Sequence, residues 1–236
     1  MRLFRNNQTG DPLREGSGEG EFAVQRAEMI EKQLRRRGVH DSGVLTAIAA
    51  VRREEFVPKE FRQRAYEDAP LPIGEGQTIS QPYIVAAMTV ALHLTGNERV
   101  LEIGTGCGYQ AAILSYLARI VFTIESRSVL ASSAAARLER LGYETVHVHC
   151  GDGTLGLPEL APFDAILVAA AAPAVPEPLR SQLTEGGRLI LPVGDAKNQE
   201  LLYIERHGNS FETRTLEACR FVPLIGYYGW KEPPAR

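Results

Sequence analysis

The spacing of apolar positions changes several times along the chain, and each change marks an element. Between residues 22 and 37, Ala23, Ala27, Ile30 and Leu34 fall on one helical face. A second short helix follows, with Asp41 or Ser42 as its cap and Val44, Leu45, Ile48 and Val51 pointing inward; Pro58 ends that region. From Tyr66 to Pro82 no clean period survives, and Pro70, Pro72, Gly74 and Gly76 interrupt the segment, which reads as a long loop, functional or disordered. A helix starting near Pro82 presents Val85, Met88 and Leu92 inward, with Ser80 or Gln81 at its cap. Beyond Val100 the pattern alternates. Apolar runs at 100–103, 120–125, 145–150, 165–170 and 188–193 are strands, and helices are expected near 108–118, 127–141 and 176–183. Leu201–Arg206 and roughly Glu212–Val222 add strands with no helix between them. The series predicts an α/β fold, a mostly parallel twisted sheet with helices on both faces, an antiparallel end and additional N-terminal helices.

The strand Val100-Leu101-Glu102-Ile103 runs directly into Gly104-Thr105-Gly106-Cys107-Gly108. Glycines at alternate positions permit positive φ and let a ligand press against bare backbone. Glu125 closes the next strand, 21 residues after Gly104. That is the place from which an acid holds ribose hydroxyls. A ligand carrying a nucleoside follows from the pair. A dinucleotide turn, G-x-G-x-x-G, would need glycine where Tyr109 stands. G-x-G-x-G after this strand instead resembles the S-adenosylmethionine site of Rossmann-like methyltransferases, which implies that cofactor, with NAD as the alternative. Ahead of this turn, the helix start near Pro82 offers free amides and a positive dipole end, which places Ser80 to meet a carboxylate.

Composition narrows the class. The 236 residues are 44% hydrophobic and 23% charged, with a net charge of -3, which allows a sizeable core and implies no general attraction to nucleic acid. Cys107, Cys150 and Cys219 are far apart and odd in number, and no signal peptide is evident, so a reducing, cytoplasmic setting is expected. The longest apolar stretch, Ala165 to Val175, is too short to span a bilayer. A soluble monomer is expected, as a flexible segment 1–20, one domain over 21–230 (N-terminal helices and substrate loop 21–95, cofactor core 96–230), and a tail 231–236.

The chain resembles the protein-L-isoaspartate O-methyltransferase family from about Ala23 to Tyr228. The resemblance rests on Gly76-Gln77-Thr78-Ile79-Ser80-Gln81-Pro82, on Val100 to Gly106 with Gly108-Tyr109-Gln110, and on Ile124-Glu125 and Gly151-Asp152-Gly153. It also rests on Pro162 to Ile166, Gly186 to Leu189, Pro192-Val193-Gly194 and Arg220 to Leu224. The glycine turn belongs to methyltransferases broadly; the Gly76-to-Pro82 stretch is far more specific. The resemblance implies a Rossmann-like fold and methyl transfer from S-adenosylmethionine, leaving S-adenosylhomocysteine. The acceptor would be the free α-carboxylate of L-isoaspartyl residues in damaged proteins and peptides. It implies Ser80 as the active-site residue, with Thr78, Ile79 and Ser80 toward substrate. Gln77, Thr78, Glu102, Gly104, Thr105, Gly106, Gly108, Glu125, Asp152 and Gly153 would line the cofactor pocket. Two departures stand out: Cys107 replaces a usual serine, and Ala169-Ala170-Ala171-Ala172 replaces a threonine-containing stretch.

Several residues have plainer readings. Ser80 could be an ordinary helix cap, and Asp152 an ordinary turn former. The Arg35-Arg36-Arg37 cluster suits a helix C-terminus better than a phosphate site. His147 and His149 alternate on one strand face, but no third ligand stands nearby, so no metal is expected. Tyr227, Tyr228 and Trp230 read as packing or a rim. The rival functions are methyl transfer to a small molecule or RNA, and a non-catalytic adaptor.

Overall fold

The computed structural model describes residues 13–231, with side chains from Gly20 onward. Residues 1–12 of the expected lead, and 232–236 of the tail, lie outside the described residues. Helix α1 spans Leu13–Met29, so residues 13–20 are helical rather than part of a lead. Gly16, Gly18 and Gly20 each disfavour helix by about 1 kcal/mol, which hides the period. Extending an existing helix, however, is far easier than nucleating one. A π-helical turn, Ile30–Leu34, and a 3-10 turn, Arg35–Arg37, continue α1 to Gly38, which stops it at φ +92°. The three arginines thus occupy the helix end, where their charge suits the dipole.

Helix α2 (Ser42–Ala50) is capped by Asp41, whose carboxylate accepts from the Val44 amide at 2.8 Å. Two short 3-10 turns, Arg53–Glu55 and Lys59–Arg64, lead on to a two-stranded hairpin, β1 (Leu71–Gly74) and β2 (Gln77–Ile79). The expected loop is therefore partly a hairpin. Its two-residue turn, Glu75-Gly76, has φ of +51° and +68°, the left-handed pair that suits the twist of a tight hairpin. Helix α3 (Pro82–Ala91) follows, with Pro82 in its first turn and Gln81 at its cap position.

The main sheet has seven strands in the order β5-β4-β3-β6-β7-β8-β9. Its parallel part is β3 (Arg99–Ile103), β4 (Ile120–Glu125), β5 (Val146–Cys150), β6 (Phe163–Val168) and β7 (Leu183–Gly194). Helices α4 (Tyr109–Leu114), α5 (Ser128–Arg140) and α6 (Glu177–Ser181) lie in the connections. Strands β8 (Gln199–His207) and β9 (Ser210–Cys219) close the sheet as an antiparallel meander, as the missing helix between them predicts. One face buries Val100, Ala165 and Leu167 against Met88 of α3, Leu92 just after it and Leu114 of α4. The other buries Leu101, Ile103, Phe122 and Ile166 with Leu179 of α6. Strand order reverses at β3, whose neighbours are β4 and β6. In an open parallel sheet, a crevice opens beyond the strand ends at that point.

Candidate active site

The glycine turn sits at the C-terminal end of β3. Gly104, Gly106 and Gly108 have φ of +93°, +54° and +90°, which residues with a Cβ rarely adopt. The Gly104 amide donates to Ile124 O at 2.8 Å, and the Gly108 amide closes the turn on Thr105 O at 2.8 Å. A Cβ on Gly106 would lie 3.2 Å from Ile73 of β1, so the turn and the hairpin are in close contact. Gly108 is the cap of α4, where a Cβ would crowd Leu138 at 3.1 Å. It shapes the turn without lining the cleft.

A cleft opens over this turn, between it and the hairpin. Gln77, Thr78, Ile79, Ser80, Glu102, Gly104, Thr105, Gly106, Glu125 and Gly153 all stand on its wall. Glu125 accepts from the Gly106 amide at 2.9 Å through Oε2, and from the Arg127 amide at 3.0 Å through Oε1. Each oxygen of a carboxylate has two acceptor sites, so capacity remains for a ribose. Glu102 is fully buried; its Oε1 has no hydrogen-bond partner, and burial pushes its acid up to about 8. Gly153 is a close-approach position, since a Cβ there would lie 2.4 Å from Ile103.

Asp152 is placed differently from the other expected pocket residues. It is not on the cleft wall. Its Oδ1 accepts from the Thr154 amide and hydroxyl at 2.8 and 2.7 Å, and its Oδ2 accepts from the Tyr227 amide at 2.7 Å. Asp152 therefore fastens the C-terminal segment behind Gly153. Trp230 anchors the same segment by donating from its indole to Ala171 O at 3.0 Å, and Tyr227 is exposed.

Beyond Ser80 a second cavity opens, lined by Arg37, Gln81, Tyr83, Glu217 and Arg220 among others. Thr78, Ser80, Ala169, Phe221 and Val222 border both spaces. Ser80 thus stands at the junction, and Gln81 rather than Ser80 holds the cap position of α3. Behind Ser80 lies Arg53, with 0% exposure. Its Nε donates to Ala65 O at 2.7 Å and its Nη2 to Ser80 O at 2.8 Å, while its guanidinium sits 4.8 Å from the Tyr109 ring.

Comparison with known proteins decides the family. The family model for protein-L-isoaspartate(D-aspartate) O-methyltransferase matches residues 24–228. The chain belongs to this family. A protein-L-isoaspartate O-methyltransferase of Roseiflexus castenholzii is 56% identical over 210 residues, covering 89% of this chain and 96% of that one. One from Methanoregula boonei is 51% identical over 207 residues, covering 88% of this chain and 95% of that one. Among solved structures, a protein-L-isoaspartate O-methyltransferase superposes with a TM-score of 0.79 at 33% identity, over 86% of this chain and 67% of that one. A Plasmodium falciparum protein assigned to the same enzyme class, in complex with S-adenosyl-L-homocysteine, gives 0.74 at 25% identity, over 85% and 98%.

Membership in the protein-L-isoaspartate O-methyltransferase family fits the cleft, and the remaining wall residues show what the sequence concealed. Arg53, which lies behind Ser80 and not on the wall, carries no motif and is recognisable only through its burial. Met88 and Gln110 reach the wall from α3 and α4, and Phe221 to Ile225 from the segment after β9. Ala169 and Ala170 form part of the wall, whereas Ala171 and Ala172 are buried in backbone bridges to Pro223 and Val193. Cys107 is buried on the wall, and burial raises its thiol. His147 and His149 lie beside Phe122. Among the described residues, no group of three or more His, Cys, Asp or Glu is arranged to hold a metal ion.

Proposed function

We propose that this protein transfers a methyl group from S-adenosylmethionine to the free α-carboxylate of L-isoaspartyl residues in damaged proteins and peptides. Family membership supports the activity. The observation that carries the residue roles is the shared wall: Thr78 and Ser80 border both the cleft over the glycine turn and the neighbouring cavity. One space takes the cofactor and the other the peptide.

The cleft fits S-adenosylmethionine on its own geometry, through a bare glycine turn, an acid with acceptor capacity and a buried orphan carboxyl oxygen. When bound, that cofactor supplies an electrophilic methyl on a sulfonium sulfur. Glu125 accepts from the ribose hydroxyls, and Gly104, Thr105 and Gly106 form the floor beneath the nucleoside. Gly153 keeps the adenine side open, and Asp152 holds that turn in place through Thr154 and Tyr227.

The acceptor needs no general base, because a carboxylate of pKa about 4 is already ionised at neutral pH. What remains is positioning and exclusion of water. Ser80 Oγ donates a hydrogen bond to the substrate carboxylate. The first-turn amides of Tyr83 and Ile84 precede the first helical bond, which Val85 makes to Gln81 O, so they add positive potential beside it. Once esterified, the carboxyl carries a better leaving group. The adjacent backbone nitrogen closes a succinimide, and its hydrolysis returns some normal aspartate. The same reading has the chain act as a cytoplasmic monomer.

Replacement of Ser80 tests the assignment. Ser80→Ala should lower kcat on an isoaspartyl peptide by about 10- to 100-fold, the scale of a lost orienting contact, with cofactor affinity unchanged. Full turnover by the variant would remove Ser80 from the site.

A further inference from the structure

Glu102 has an arrangement that shape alone does not require. It lies at the cofactor end of β3, with 0% exposure. Its Oε2 accepts from Thr123 Oγ1 at 2.5 Å, and that hydroxyl is linked to Thr105 Oγ1 at 2.7 Å. Its Oε1 is buried without a partner. A buried carboxylate with one oxygen unsatisfied is costly, and the group escapes the cost by keeping its proton.

The neighbours reinforce that tendency. Strand register puts Thr123 on one side and Leu167 on the other, both uncharged. Glu125, two residues further along β4, adds a like charge. On the helix side, the Gln110 amide is turned away to Thr89 Oγ1 at 2.9 Å. From the turn comes Cys107, whose thiol burial also keeps protonated. Burial is thus the main cause of the raised acid, Thr123 opposes it, and Glu125 adds to it. None of the three influences on the Glu102 acid is a cation, although Glu102 shares the cleft wall with Arg127 as well as Glu125 and the cleft accepts a cationic ligand.

We propose that Glu102 is a charge sensor for the methyl donor: it is a neutral acid in the empty cleft and releases its proton when S-adenosylmethionine docks, its carboxylate then balancing the ligand's positive charge. This rests on the cofactor reading above. The O–H bond of the acid breaks, its electron pair stays on the carboxylate, and the proton passes to water or buffer; nothing is oxidised. Methyl transfer converts the sulfonium to a neutral thioether, so the product carries one positive charge less. S-adenosylhomocysteine therefore holds Glu102 ionised less well, and the site distinguishes spent cofactor from fresh donor by charge as well as by shape. A glutamine at 102 would keep the shape and lose the discrimination.

Calorimetry of the full chain and of Glu102→Gln tests this directly. Binding of S-adenosylmethionine and of S-adenosylhomocysteine is measured at pH 7 in two buffers of different ionisation enthalpy, which yields the protons released. Subtracting the variant cancels ionisation of the ligand's own amino group. The wild type should release close to one proton more than Glu102→Gln with the donor, and clearly fewer with the product. Between pH 6 and 8 its donor affinity should rise, relative to the variant, by up to about 10-fold per pH unit, the slope of a single linked proton. In difference infrared spectra, a protonated carboxyl C=O band should vanish on donor binding in the wild type and be missing from the variant. Equal proton counts in the two proteins would overturn the proposal, as would equal counts for donor and product. Failure of both proteins to bind either ligand would instead overturn the cofactor reading, and this inference with it.

Discussion

Glu125 and Glu102 stand on the same cleft wall yet are held in opposite ways. Glu125 is fixed by backbone amides from Gly106 and Arg127, which set its geometry. Hydrogen bonds to a charged group contribute about 1.5–3 kcal/mol each. Glu125→Ala should therefore weaken S-adenosylhomocysteine binding by at least about 10-fold, read by calorimetry, and also lower the melting temperature, because the Gly106 and Arg127 amides lose their acceptor. Unchanged affinity would take the ribose away from this residue. Glu102, by contrast, is raised to about 8 by burial, from 4.5 as an ordinary carboxyl. The folded protein then binds more protons than the unfolded chain between those values. Stability from this group is present at low pH and is lost as pH rises toward and through 8. Thermal melts of the empty protein should accordingly decline from pH 5 to 9 more steeply in the wild type than in Glu102→Gln. Parallel curves would show that Glu102 is ionised throughout. Glu125 was legible from its distance to the glycine turn. The tie between Asp152 and Tyr227 was not, because residues 75 positions apart leave no local pattern.

At the scale of elements, the substrate side depends on how segments 65–80 and α3 are held. Arg53 donates to Ala65 O and Ser80 O and packs on Tyr109, the first residue of α4, so one guanidinium joins the hairpin region to the glycine turn. Its planar fork does this in a way a lysine ammonium cannot. Arg53→Lys should lower kcat on isoaspartyl peptide by about 10-fold or more, as small misplacements do, while affinity for S-adenosylhomocysteine changes far less. Equal losses of both, tracking a fall in melting temperature, would reduce Arg53 to a general core residue. The alternating strands and helices were legible because each keeps its period over five or more residues. The hairpin was not. Only Leu71, Ile73 and Ile79 mark its strands, and the prolines and glycines between them read as loop. Helix α1 likewise begins before its apolar period becomes legible, because its early glycines mask it.

Across the whole molecule, strand order reverses at β3 within the parallel part of the sheet, and the cofactor cleft lies at the C-terminal end of that strand. The hairpin, α3 and the segment after β9 then build a second space against it, with Ser80 on the common border. This division into a nucleoside side and a peptide side is the central claim, and it concerns the whole chain rather than one residue. It is tested most directly by incubating the protein with methyl-labelled S-adenosylmethionine and two peptides that differ in one linkage, L-isoaspartyl or L-aspartyl. The account predicts base-labile label on the isoaspartyl peptide and none on its aspartyl twin. Equal labelling of the two peptides, or of neither, would contradict it.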